Sequence, residues 1–321
     1  MSRILLTGGA GFIGSHLAEH LLREGAELLI VDDLNDFYPP EIKRQNLESI
    51  KMEGHFQFVE NDICDETSMA GTFARFQPNI VIHLAARAGV RPSLQDPMLY
   101  EKVNLRGTLG LLELSRKHTV KKFIFASSSS IYGITSQIPF SEAEANPNPI
   151  SPYGVTKLAG EKMCGCYSHL YGISCICLRF FTVYGPRQRP DLAIHQFAKL
   201  MEEGKAIPFF GDGSTLRDYT YIEDIVSGIF ASLKLDSKFE IFNLGSSSPI
   251  SLKDLVSHLE RAMGRKANLI RLPHQPGDMP LTFADTRKAG ELLGYNPCFP
   301  IEIGLSRFVE WFRASNTKLK G

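Results

Sequence analysis

The chain has 321 residues, 43% of them hydrophobic, with 35 Lys plus Arg set against 35 Asp plus Glu. Balanced charge leaves no basic face for nucleic acid, and no apolar run approaches the roughly 18 residues that span a bilayer. Residues 1–7 lead straight into a strand and glycine loop, so no signal peptide is expected, and the default is a cytoplasmic protein.

Residues 3–7 (R-I-L-L-T) read as a short buried strand, Gly8–Gly14 as a tight turn and Ser15–Glu24 as a helix. A second strand covers 27–31 and ends at Asp32. There follow a helix at 41–52, a strand at 56–60, a helix at 66–76, a strand at 80–84, a helix at 97–117 and a strand at 122–126. Near-continuous apolar strands alternating with helices imply a parallel sheet covered on both faces. Right-handed crossovers make it an α/β, doubly wound, Rossmann-type sheet.

Beyond residue 185 the pattern loosens, with proline and glycine at 185–190, 208–213 and 273–280 and short helices at 192–204, 223–235, 251–264 and 302–314. The reading is a dinucleotide-binding domain over 1–185 and, over 186–321, mainly a smaller C-terminal substrate-binding lobe. Strand 239–244 and helix 223–235 are able to return to the main sheet.

Six cysteines include two C-x-C pairs, Cys164/Cys166 and Cys175/Cys177. Neither has metal-ligand spacing, and no histidine falls at zinc-finger distance, so no metal is expected and the thiols read as buried and inert.

Gly8, Gly11 and Gly14 form G-x-x-G-x-x-G, with Phe12 and Ile13 inside the loop. Between a strand and a helix, such glycines let a pyrophosphate approach the free N–H groups of a helix N-terminus. Asp32, 18 residues beyond Gly14, is placed to accept from adenosine ribose hydroxyls. Asp33, Asn35 and Asp36 follow, without an arginine for a 2′-phosphate, so NAD is favoured over NADP. Asp62 and Ile63, after the third strand, suit the adenine. Leu84, Ala85 and Ala86 close the fourth strand with small side chains past which a cofactor fits, and His83 reads as a packed strand histidine.

Ser127–Gly133 (S-S-S-S-I-Y-G) stands at the end of the fifth strand, where such sheets present ligands. Downstream, Ser151 and Pro152 suit the start of a helix carrying Tyr153 and Lys157 four residues apart, on one face. A free phenol with a pKa of about 10 is a poor base at neutral pH. A lysine ammonium beside it is expected to lower that value and make Tyr153 a usable proton acceptor.

G-x-x-G-x-x-G, H-L-A-A, the serine run with I-Y-G, S-P-Y-G-V-T-K and F-G-D-G-S-T-L-R-D-Y occur in order over essentially the whole length. In these the chain resembles the extended short-chain dehydrogenase/reductases, and among them the nucleotide-sugar 4-epimerases. L-N-D-F-Y, A-G-V-R, Y-S-H-L-Y-G, L-R-F-F-T-V-Y-G-P and R-P-D look most like UDP-glucuronate 4-epimerases.

The resemblance implies NAD, a UDP-sugar substrate, and a homodimer packed through helices 97–117 and 153–170. It implies Ser128 as the catalytic hydroxyl with Tyr153 and Lys157, and Asn104 in the cofactor site. Dehydratase relatives carry Asp-Glu after that hydroxyl and decarboxylases a Glu, whereas Ser129 and Ser130 follow here, which leaves epimerisation through a 4-keto sugar. Ser129, Ser130, Thr182 and Arg189 are able to hold a glucuronate carboxylate, with Arg87 and Arg91 nearby. Arg217 falls to the UDP pyrophosphate and Asp278 to the uridine ribose. Arg87 replaces the usual Gln, and Arg187-Gln188 replaces the usual Trp-Gly. A UDP-glucose/UDP-galactose or N-acetyl-sugar 4-epimerase stays open, as do a decarboxylase and a non-catalytic NAD-binding scaffold.

Overall fold

The computed structural model describes residues 2–134, 138–273 and 279–318. The central layer follows from alternation across the strand pleat. In β1 (Arg3–Thr7), Ile4 and Leu6 enter one core while Leu5 enters the other. In β2 (Glu27–Asp32), Leu28 and Ile30 part from Leu29 and Val31 in the same way. Strands apolar on both faces are stable only between two helical layers.

The first half runs β1, α1 (Phe12–Arg23), β2, α2 (Pro40–Lys51), β3 (Gln57–Glu60), α3 (Glu66–Phe76) and β4 (Ile80–His83). The second half begins with α4 (Val90–Gln95), α5 (Pro97–Tyr100), a π-helical turn (Glu101–Gly107) and α6 (Thr108–Lys117). It continues with β5 (Lys122–Ser128), α7 (Pro152–Tyr171) and β6 (Ser174–Phe180).

The chain then leaves the sheet for β7 (Thr182–Tyr184), α8 (Ala193–Glu202), β8 (Ala206–Phe210), β9 (Leu216–Arg217) and β10 (Tyr219–Tyr221). It returns through α9 (Ile222–Lys234) and β11 (Phe239–Leu244). It ends with β12 (Ile250–Ser251), α10 (Leu252–Met263), β13 (Asn268–Leu272), α11 (Arg287–Leu293) and α12 (Ile301–Lys318).

Seven parallel strands lie in the order β11-β6-β5-β4-β1-β2-β3. The order reverses between β1 and β4, which opens a crevice at the strand C-termini. One core is shared by α1, α9 and the later helices, with Leu17, Ile225, Leu255 and Phe308 buried together. The other lies under α3, α6 and α7, around Phe73, Leu111, Phe123 and Cys164.

Several boundaries differ from the sequence reading. The first helix starts at Phe12, since Gly11 already occupies its N-cap, and β5 runs on to Ser128. The single helix expected over 97–117 is α5, a π-helical turn and α6, and α4 and α11 were not anticipated. The π turn places the polar side chain of Asn104, 1% exposed, inside the protein. Cys164, Cys175 and Cys177 are buried, but Cys166 and Cys298 are exposed and Cys64 is half-buried. The C-x-C spacing puts both residues on one face of a strand, at 175 and 177, and on different faces of a helix, at 164 and 166.

Candidate active site

A cavity of about 470 Å³ opens at the C-terminal ends of β1, β2, β4 and β5. Gly8, Gly11, Phe12, Ile13 and Gly14 form one end of it. Gly8 has φ +71°, and a side chain there would meet Ala85 backbone at 2.7 Å. A Cβ on Gly14 would lie 2.1 Å from the Gly8 carbonyl oxygen. Only glycines allow this close approach. No side chain caps α1, and its first turn carries no acidic residue, so its N–H groups face the cavity without a built-in anion. This cradle fits the pyrophosphate of a dinucleotide.

Asp32, 6% exposed, staples the loop: Oδ2 accepts from Ala10 N (3.1 Å) and Oδ1 from Leu34 N (3.0 Å). Burial pushes its carboxyl up, opposed by the Lys43 ammonium 3.7 Å away. Asn35, Asp62, Ile63, Leu84, Ala85 and Ala86 all line the same cavity. Asn104 does not. It lies behind the wall, where its Oδ1 accepts from Arg87 N (2.8 Å) and its Nδ2 donates to Arg87 O (2.9 Å). It therefore shapes the β4 loop rather than contacting the cavity.

At the other end of the cavity are Ser128, Ser129, Ser130, Tyr153 and Lys157. Ser151 caps α7 by accepting from Gly154 N (3.1 Å), with Pro152 in the first turn. Gly160 brings α7 down onto β5, its Cα facing the Phe125 ring. The Lys157 ammonium donates to Ala126 O (2.7 Å) and lies 6.0 Å from the Tyr153 ring centre.

The electrostatics correct the sequence expectation. Burial pushes the Tyr153 phenol up, and what opposes it is a hydrogen bond with Ser128 and the Arg189 charge, not Lys157. Burial also lowers Lys157, to about 8, against the favourable influence of Cys164 and Glu161. Lys157 is turned to the β5 carbonyl, so its ammonium does not offset the burial of the phenol. His83 is a packed residue as expected, between Thr7 Oγ1 (2.8 Å) and Thr108 Oγ1 (3.0 Å).

Of the residues expected at a sugar, Arg87, Thr182 and Arg189 reach the cavity wall. Arg87 Nη1 donates to Asn35 Oδ1 (3.3 Å), which turns it toward the ribose end. Arg189 is gripped by Asp191 through Nε–Oδ1 (3.0 Å) and Nη2–Oδ2 (2.7 Å) and lies over the Phe37 ring at 5.2 Å. Arg91 is outside the described wall, over Phe210 at 5.2 Å. Arg217 is also outside it, on β9, donating to Leu216 O (2.9 Å). Asp278 lies outside the described residues.

Residues 4–245 match the NAD dependent epimerase/dehydratase family. The chain belongs to that family. A UDP-glucuronate 4-epimerase of Thermodesulfobacterium geofontis is 44% identical, over 100% of this chain and 99% of that one. Among solved structures, UDP-glucuronic acid 4-epimerase from Bacillus cereus, in complex with UDP-glucuronic acid and NAD, is 39% identical with a TM-score of 0.91. The match covers 97% of this chain and 99% of that one. UDP-glucose 4-epimerase from Thermotoga maritima, with UDP-glucose, is 36% identical with a TM-score of 0.91 over 98% and 99%.

Two features of this epimerase/dehydratase site were missed in the sequence. Lys43 lines the cavity, 4% exposed, because α2 turns Lys43, Asn46, Leu47 and Ile50 inward. The i, i+3, i+4, i+7 spacing was the available signal, obscured by a charged residue at its first position. Behind Lys157, Glu161 receives Arg179 through Nε (2.9 Å) and Nη2 (2.8 Å), and Ser127 Oγ (2.5 Å). Arg179 Nη1 also reaches Tyr132 Oη (2.8 Å). Glu161 stands four residues after Lys157, the same spacing that links Lys157 to Tyr153.

Proposed function

We propose that this chain is a UDP-glucuronate 4-epimerase, interconverting UDP-glucuronate and UDP-galacturonate through a 4-keto sugar. The carrying observation is the composition of the catalytic end of the cavity. Ser128, Ser129 and Ser130 line the cavity with Tyr153, and the stretch Ser127–Ser130 holds no carboxylate. Loss of water from the keto sugar needs an acid/base pair in that place, while epimerisation needs only the return of what was removed.

Gly8, Gly11, Gly14, Asp32 and Lys43 are the residues that would hold NAD, with the α1 N-terminus on its pyrophosphate. NAD, when bound, supplies reversible two-electron chemistry at C4. Tyr153 accepts the proton of the sugar 4-OH and gives it back to the same oxygen after the sugar has turned. Ser128, hydrogen-bonded to Tyr153, holds that oxygen and passes hydrogen-bond character to the phenol. Lys157, anchored on Ala126 O, keeps α7 and β5 in register behind the phenol.

Ser129, Ser130, Thr182 and Arg189 receive the glucuronate carboxylate. Asp191 engages two of the five N–H donors of Arg189 and so fixes the direction of the fork. Fixed donors oppose loss of CO2 by holding the carboxylate charge in place. Arg217, on β9 outside the cavity wall, is assigned to the UDP pyrophosphate on the family resemblance alone. The reading as a neutral-sugar epimerase is favoured by one observation, that the Arg189 charge is already balanced by Asp191.

The free thiols suit a reducing, cytoplasmic compartment. A homodimer is supported by exposed apolar side chains on the α4–α7 surface: Leu94, Met98, Leu109 and Val155.

The test is NMR of purified protein mixed with UDP-glucuronate, and with UDP-glucose in a parallel tube, without added NAD. UDP-galacturonate is expected in the first tube, which would also show that NAD is retained on purification. UDP-galactose alone, in the second tube, would overturn the acidic-sugar assignment.

A further inference from the structure

After Thr182 on the cavity wall, β7 ends at Tyr184 and the chain turns through Gly185-Pro186-Arg187-Gln188 before Arg189 returns to the wall. Arg187 sits at φ +63°, a left-handed conformation that side chains other than Asn and Asp seldom adopt. Its Nη2 pairs with Glu19 Oε1 at 2.5 Å, with the two side chains 16% and 10% exposed. Its Nη1 is buried without a partner among the described residues. Strained backbone and a half-satisfied buried guanidinium are two energetic costs at one residue. Such costs persist where a fixed position matters to function.

The pair joins two parts of the site. Glu19 lies on α1, whose N-terminal residues Phe12, Ile13 and Gly14 form the cofactor end of the cavity. His16, one turn earlier on the same helix, bonds Pro186 O through Nε2 at 3.0 Å. Arg187 stands two residues before Arg189. The Arg189–Asp191 grip cannot anchor this loop to the body, since both partners belong to the loop and move with it. Contacts from α1 do so, together with Phe37 under Arg189 and His195 on Gln188 O.

We propose that the Glu19–Arg187 ion pair is a positioning device for Arg189, setting the preference for an acidic over a neutral nucleotide-sugar. The inference rests on the carboxylate role of Arg189 proposed above. Neither Glu19 nor Arg187 touches the cavity, so both act through the loop.

Three variants test it: Arg187→Gly, which relieves the backbone strain while removing the pair, Glu19→Gln, and Arg187→Lys, which keeps the charge. Binding of UDP-glucuronate and of UDP-glucose to NAD-loaded protein is measured by calorimetry, with KM and kcat from NMR. Arg187→Gly and Glu19→Gln are each expected to weaken UDP-glucuronate about tenfold, as expected for a misplaced charge-assisted hydrogen bond, and UDP-glucose less than about twofold. The change falls in KM rather than kcat, and Arg187→Lys recovers most of it. Equal weakening of both ligands, or of neither, overturns the positioning role. If the unaltered protein binds the two sugars alike, the carboxylate reading of Arg189 itself fails. If it prefers UDP-glucuronate and both substitutions keep that preference, the ion-pair role alone is overturned.

Discussion

Tyr153 is held between opposing influences: burial keeps its proton on, while the Ser128 hydroxyl and the Arg189 charge draw the phenol toward its anion. Removing the phenol oxygen removes the proton acceptor and little of the binding surface. Tyr153→Phe is therefore expected to lower kcat by about 10²–10⁴-fold, the usual contribution of a positioned base, with UDP-sugar affinity retained. Turnover by NMR and affinity by calorimetry separate the two.

His83 carries a prediction about acid. Burial lowers its pKa to about 3 from the ordinary 6.5, so the folded protein keeps it neutral while the unfolded chain takes up a proton. Its contribution to stability is complete above pH 6.5 and is lost as pH falls toward 3. Replacement by Asn should flatten the acid limb of stability by up to about 1.4 kcal/mol per pH unit, measured by denaturant titration at several pH values.

At the scale of elements, the contact of α7 with β5 aims the catalytic side chains. Gly160 is the point of closest approach, where a Cβ would fall 2.4 Å from the Phe125 ring. Gly160→Val should push the helix outward, cost about 1–3 kcal/mol by overpacking and reduce kcat, because Lys157 would lose Ala126 O. Thermal unfolding and turnover together check this.

The same scale explains what could be read beforehand. Strand periodicity, the glycine loop and the Tyr153–Lys157 spacing are local signals, and they gave the parallel sheet and both ends of the cavity. Direction and partnership are not local. Nothing near Lys157 in sequence shows that it turns to a carbonyl of β5. The spacing around Lys43 marks an inward face of its helix, but nothing local shows that this face meets Asp32. Arg189 could be placed at the wall, but the grip of Asp191 depends on how one loop closes on itself.

For the whole molecule, the outward surface of α4 to α7 is where a second copy is proposed to pack. Leu94, Met98 and Val155 are 51%, 73% and 51% exposed there. Introducing charge with Leu109→Glu and Val155→Glu should give a monomer by light scattering, with the fold retained by circular dichroism, since burying an unpaired carboxylate in an interface is strongly unfavourable.

The path of the chain has an evolutionary consequence. After β6 it leaves the sheet for β7 to β10, re-enters with α9 and β11, then departs again. The parts that would contact a sugar are thus threaded through the parts that complete the sheet. No single break point separates an exchangeable cassette from a scaffold. A single block exchange that replaced everything after β6 would remove β11 from its pairing with β6. A change of substrate range that keeps the sheet intact is accordingly reached most directly by side-chain changes in place.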